Sequence, residues 1–165
     1  MLTRHLDRAL SEHFGKYREV LVLLGARQVG KTTIIKRIFP EAQYLIADNE
    51  PIKNALERYD PVIYKQLLNT GDSLVVIDEI QKLSDPGRAA KIFFDQLPEY
   101  RLIITGSSAF NIKNKASESL AGRKVDYHLY PLSLSEYLVQ KGLESALSLI
   151  PLERLIRGEK AKEVI

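Results

Sequence analysis

The sequence has no cysteine. Disulfides and thiolate metal sites are therefore excluded, and a bound metal would rest on carboxylates and hydroxyls, a donor set that suits Mg²⁺. No run approaches the ~18 consecutive apolar residues of a membrane helix. The opening Met1-Leu2-Thr3-Arg4-His5-Leu6-Asp7 lacks the apolar segment of a secretory signal. The expected location is the cytoplasm, with no membrane partner. An excess of one charge is missing as well: 24 Lys and Arg face 21 Asp and Glu, for a net +3. The signs are mixed along the chain, as on a solvated surface, and no basic stripe marks a nucleic-acid footprint. The three histidines, His5, His13 and His128, stand far apart and form no ligand pattern. Internal repeats and low-complexity segments are absent too.

What is present is a chain of 165 residues, 45% apolar and 27% charged, the composition of one folded domain with its own core. Residues 20–24, Val-Leu-Val-Leu-Leu, form a short, wholly apolar run of strand formers, as expected of a strand buried on both faces. Strands are also expected at 44–47, 74–77, 102–104 and, with alternating polarity suited to a sheet edge, 125–129. Helical spacing appears at 2–14 (stopped by Gly15), at 31–39 (closed by Pro40) and at 89–97. Asn49 is placed to cap a helix with Pro51 in its first turn, another helix follows Pro61, and Ser133 with Glu136 has capping-box spacing. Tyr127, Tyr130 and Tyr137 read as packing residues. Strands alternating with helices predict an α/β fold with a mostly parallel sheet.

Gly25-Ala26-Arg27-Gln28-Val29-Gly30-Lys31-Thr32 satisfies G-x-x-x-x-G-K-[ST] at every specified position, between an apolar strand and a helix. Successive backbone N–H groups can curl around a β-phosphate only where glycine leaves the path clear. The helix that begins near Lys31 adds its positive end. The nucleotide-binding set is Gly25, Arg27, Gln28, Val29, Gly30, Lys31, Thr32 and Thr33, with Lys31 on the β- and γ-phosphates and Thr32 a ligand of Mg²⁺. Arg27 points to solvent, or else lies near the nucleotide or a partner.

Leu74-Val75-Val76-Ile77 ends in Asp78-Glu79. Carboxylates at the end of a buried strand are costly unless a cation waits there. Asp78 is accordingly assigned to the metal, and Glu79 to the water that attacks the γ-phosphate. No Asn-Lys-x-Asp for reading guanine occurs, since Asn111-Ile112-Lys113-Asn114 does not fit, so ATP is expected rather than GTP. The 102–104 strand runs into Thr105-Gly106-Ser107-Ser108 at the sheet edge where α/β proteins bind ligands. Thr105 and Ser107 are the candidates for a hydroxyl that touches the γ-phosphate or the water.

The phosphate loop with Thr33, Val76-Ile77-Asp78-Glu79-Ile80-Gln81-Lys82, Ile104-Thr105-Gly106-Ser107-Ser108, Ser119-Leu120-Ala121-Gly122-Arg123 and Pro131-Leu132-Ser133-Leu134-Ser135-Glu136 together resemble one family, in its order. This is the group of prokaryotic AAA-type ATPases in which the core precedes a C-terminal domain of unknown function, described as a winged-helix segment with a nuclease-like fold. The resemblance implies a three-layer α/β/α P-loop NTPase of the additional-strand, conserved-glutamate class, with a five-stranded sheet. It implies Mg·ATP bound and hydrolysed by Lys31, Thr32, Asp78 and Glu79. It also implies an arginine finger at Arg123 acting in trans within a homo-oligomer. Family members run well past residue 165, so residues 1–140 are expected to be the ATPase core and 141–165 a helical tail that starts a missing or truncated C-terminal region. Alternative roles are a nucleotide-controlled interaction module with little turnover, or a DNA-linked motor.

Overall fold

The computed structural model describes residues 3–69, 71, 73–107 and 120–143. The expected tail at 141–165 past residue 143, Ser108, Asn111, Ile112, Lys113, Asn114 and Ser119 lie outside the described residues. The chain divides into two compact units, Leu6–Tyr130 and a smaller one made of Met1–His5 with Pro131–Ile165.

In the larger unit, β1 (Val20–Gly25), β2 (Gln43–Ile46), β3 (Leu74–Asp78), β4 (Arg101–Gly106) and β5 (Lys124–Leu129) form one sheet. Their order is β2-β3-β4-β1-β5, and all neighbouring pairs are parallel. Side chains alternate across a strand, so β1 sends Val20, Val22 and Leu24 into one apolar layer and Leu21 and Leu23 into the other. Both layers are buried, which is why β1 is apolar throughout. Each such side chain contributes about 1.5–3 kcal/mol. The first layer is closed by α4 (Glu50–Leu56), α5 (Pro61–Leu67) and α6 (Pro86–Gln96), through Leu56, Tyr64 and Phe93. The second is closed by α1 (Asp7–Ser11) and α3 (Lys31–Ile38), through Leu10, Ile34 and Ile35. This is the expected α/β/α arrangement around a five-stranded parallel sheet, with β5 at the edge.

Local chemistry sets the helix ends. Asn49 accepts from Ile52 N–H, and Asp60 from Val62 N–H at 2.7 Å, each just before a first turn that contains a proline. Helix α6 starts at Pro86, three residues earlier than the apolar spacing predicts, because Asp85 caps it by accepting from Arg88 N–H at 2.9 Å. The helix expected over residues 2–14 is instead two short ones, α1 and α2 (His13–Lys16), with Gly15 inside the second. The break at Glu12 turns His13 fully inward, where its Nδ1 meets Tyr127 Oη at 3.0 Å and its Nε2 the Glu19 carbonyl at 2.9 Å. Tyr127 thus packs as expected. Tyr130 and Tyr137 do not: they are 70% and 46% exposed.

In the smaller unit, α7 (Leu134–Gln140) carries the full capping box. Glu136 N–H donates to Ser133 Oγ at 3.2 Å, and Ser133 N–H donates back to Glu136 Oε2 at 2.9 Å. The buried Glu136 carboxylate also accepts from His5 N–H at 2.8 Å and from Arg4 Nε at 3.1 Å. Burial alone would raise its pKa, but the two backbone donors and the guanidinium prevail and hold it at about 2.

Candidate functional site

The strands β3, β4 and β1 lie side by side, so their C-terminal ends bring Asp78, Thr105 and the loop after Gly25 to one edge of the sheet. The chain leaves β1 toward β2 on one side and returns as β5 on the other. The loop therefore stands at a topological switch point, where open α/β sheets form their ligand crevice.

The loop's glycines are required by space and by backbone angle. A Cβ on Gly25 would stand 2.5 Å from the Leu129 carbonyl oxygen of the adjacent β5 and 3.0 Å from Val29 Cγ1. Gly30 has φ 98° and forms the N-cap of α3, which no side chain caps. The first N–H groups of α3 have no partner within their own helix and point outward at its positive end. Arg27, Gln28 and Thr33 are exposed, Val29, Gly30 and Thr32 are half-buried, and Lys31 is only 6% exposed. The Lys31 ammonium folds back on the loop and donates to the carbonyls of Gly25 at 3.0 Å and Ala26 at 2.9 Å. It forms no ion pair among the described residues.

Asp78, 7% exposed, accepts from three directions. Thr32 Oγ1 donates to its Oδ2 at 2.9 Å, Glu79 N–H donates to Oδ1 at 3.1 Å, and the Thr105 hydroxyl also donates to Oδ1. Thr105 is wholly buried and accepts from Glu79 N–H at 3.2 Å, so its hydroxyl lies behind the acidic pair. Ser107, one residue past β4, is half-buried. Glu79 lines an open cleft with Gln28, Gly30, Lys31, Thr32 and Thr33. Of the three non-glycine residues with positive φ among those described, two, Gln28 at 62° and Glu79 at 57°, line this cleft. Backbone held in such sparsely populated regions clusters at functional sites.

One carboxylate and one hydroxyl in contact fit a cation that takes oxygen ligands and keeps several waters, as Mg²⁺ does. The Tyr44 hydroxyl is buried with no hydrogen-bond partner among the described residues. Burial, and then the charge of Asp78, push its pKa up.

Arg123 lies elsewhere. It immediately precedes β5, and its carbonyl accepts from Val20 N–H at 2.8 Å, where β1 begins. It therefore sits at the opposite edge of the sheet from the loop, a strand length or roughly 20 Å away. Its guanidinium pairs with Asp95 at 2.9 Å, both side chains about one-third exposed.

A family model described as AAA domain matches residues 17–138, which contain the loop, the acidic pair and Arg123. The chain belongs to the AAA-domain family. It is 33% identical over 125 residues to uncharacterized proteins of Mycobacterium bovis and Mycobacterium tuberculosis, covering 74% of this chain and 28% of each relative. An uncharacterized protein of Methanocaldococcus jannaschii is 28% identical over 152 residues, covering 78% of this chain and 30% of the relative. The chain thus spans less than a third of the length of the curated relatives it matches. The AAA family and the P-loop fold make this an ATPase-type, nucleotide-binding domain. No helix among the described residues is long and apolar enough to cross a membrane.

Gln81 and Tyr44 stand beside the acidic pair with no role legible in the sequence. Gln81 stood inside the motif around Asp78-Glu79 but carried no role. Tyr44 looked like any other apolar strand residue, because only the pairing of β2 with β3 sets it beside Val76.

Proposed function

We propose that this domain binds Mg·ATP on the 25–32 loop and hydrolyses it. The observation that carries the reading is Lys31. An ammonium 6% exposed, with carbonyl partners but no ion pair among the described residues, lies at a helix N-terminus that no side chain caps. Burying a lone charge is costly, and an incoming polyphosphate supplies the missing counter-charge.

In this reading Lys31 turns from the Gly25 and Ala26 carbonyls to the β- and γ-phosphates, and the first N–H groups of α3 donate to the phosphate oxygens. Thr32 and Asp78 would hold Mg²⁺, which would supply charge that neutralises the phosphates. Glu79 takes the proton of the attacking water. Thr105 holds Asp78 from behind, and Ser107 is the hydroxyl presented toward the γ-phosphate. Arg123 serves the site of a neighbouring copy, because its own phosphate loop lies across the sheet.

The test is steady-state phosphate release from Mg·ATP over a range of protein concentrations, with Lys31→Ala as the blank. Turnover above the blank supports hydrolysis, and turnover rising faster than linearly supports a site completed between copies. Tight nucleotide binding with no turnover at any concentration would make the domain a nucleotide-controlled switch instead.

A further inference from the structure

Past Glu79 the chain enters a 3₁₀ turn, Ile80–Lys82, anchored by the fully buried Ile80. Glu79 starts that turn with φ 57° and ψ 42°. The left-handed region is unfavourable for a residue with a Cβ, so the surrounding structure must hold it there.

The turn carries Gln81 back over Glu79, and Gln81 Nε2 donates to Glu79 Oε2. A carboxylate can only accept when ionised, so the amide nitrogen is the end that faces it. The other end of the amide, Oε1, is buried and has no hydrogen-bond partner among the described residues. An unpaired buried acceptor is unfavourable, because it gives up its hydrogen bonds to water. Two local penalties, one in the backbone and one in the side chain, thus coincide at a single contact whose effect is to fix one oxygen of Glu79. The other carboxylate oxygen carries no hydrogen bond among the described residues, and Glu79 lines the cleft opposite the phosphate loop.

We propose that Gln81 is the positioning residue for Glu79. The inference rests on the reading of Glu79 as the base in ATP hydrolysis. The amide of Gln81 locks the carboxylate in one orientation, so that the remaining oxygen addresses the water. In the step it serves, a water O–H proton passes to Glu79 and the water oxygen bonds to the γ-phosphorus. The bond from that phosphorus to the bridging oxygen breaks, its electron pair leaves on ADP, and inorganic phosphate forms. Gln81 neither gives nor takes a proton. Its part is that of the third group that orients a base.

The experiment uses Gln81→Met, which keeps the length of the side chain and removes the donor. Expected is a loss in kcat of roughly 10- to 100-fold, the size of effect a misplaced reacting group produces. KM and the affinity for a fluorescent ATP analogue should stay within about two-fold of wild type, as for an interaction made only in the transition state. Gln81→Met/Glu79→Gln should be no slower than Glu79→Gln alone, since the two residues act as one unit. A second readout needs neither a Gln81 variant nor nucleotide: in the nucleotide-free protein, the Gln81 side-chain N–H₂ resonance should move when Glu79 becomes alanine.

If Gln81→Met keeps the wild-type kcat while Glu79→Gln is inactive, the positioning role is overturned and the hydrolytic reading stands. If the Gln81 resonance ignores Glu79→Ala, the contact itself is refuted. Should Glu79→Gln turn over ATP at the wild-type rate, it is the assignment of the base that fails.

Discussion

Thr32 and Asp78 are 46 positions apart in the chain, yet the Thr32 hydroxyl donates to Asp78 Oδ2 at 2.9 Å. Thr32 stands in the first turn of α3, the helix after β1, and Asp78 closes β3. Their contact exists because the edge of the sheet gathers both. It sets a hydroxyl and a carboxylate oxygen side by side at the end of β3.

Asp78→Asn tests that pairing. The substitution keeps the shape and removes the charge. Nucleotide affinity measured in EDTA should stay within about two-fold of wild type, while the gain on adding Mg²⁺ disappears. Loss of metal assistance is worth several kcal/mol, so phosphate release should fall by about 10²-fold or more. Binding titrations with and without Mg²⁺ check the first part, and steady-state kinetics the second.

Gly25→Ala should damage both the fold and the site. The added Cβ would meet the Leu129 carbonyl oxygen at 2.5 Å, and backbone paired in a sheet cannot swing aside. A destabilisation of about 1–3 kcal/mol is expected. Gly30→Ala meets no atom within 4 Å, but its φ of 98° makes it costly for a different reason, by about 1–2 kcal/mol. Thermal unfolding of the two variants, followed by nucleotide binding, distinguishes a steric clash from backbone strain.

Thr105 and Ser107 should separate cleanly. Thr105→Val removes a wholly buried donor to Asp78 and the acceptor of Glu79 N–H, and should lower stability by about 1–3 kcal/mol as well as activity. Ser107→Ala should change stability by less than about 0.5 kcal/mol, as a substitution outside the packed core does. It should lower kcat with little change in KM. Denaturation and kinetics on the same two proteins decide it.

Two groups should give the pH dependence of stability two separate windows. The Glu19 carbonyl can only accept, so His13 carries a proton on Nε2, while its Nδ1 meets the Tyr127 hydroxyl at 3.0 Å. Burial lowers its pKa below the ordinary 6.5. The unfolded chain therefore takes up a proton first, and stability should fall as pH drops below 6.5 toward the native pKa. Glu136, held at about 2 against 4.5 in the unfolded chain, stabilises above pH 4.5 by on the order of 3 kcal/mol, and loses this as pH falls toward 2. Thermal midpoints of wild type, His13→Gln and Glu136→Gln across pH 8 to 3 should show the upper window flattened in the first variant and the lower in the second.

Much of the architecture was legible in the chain because local physics and global fold agree there. The wholly apolar 20–24 run is what burial on both faces demands, and β1 is buried along its whole length. Asn49, Pro51, Pro61, Ser133 and Glu136 did what their side chains do next to helix ends. The start of the chain was harder. Apolar spacing over residues 2–14 describes one helix, but the inward turn of His13 depends on Tyr127, 114 positions away.

The sequence by itself determined the phosphate loop, the acidic pair and the alternation of strands and helices, because each rests on neighbours within a few residues: glycine angles, a run of β-branched side chains, a cap. Tertiary structure alone decided how those pieces act together. Only the order β2-β3-β4-β1-β5 puts Asp78, Thr105 and Thr32 in contact and carries Arg123 to the far edge of the sheet. Hydrogen bonds and charges act over a few ångströms of space, and distance along the chain does not measure that.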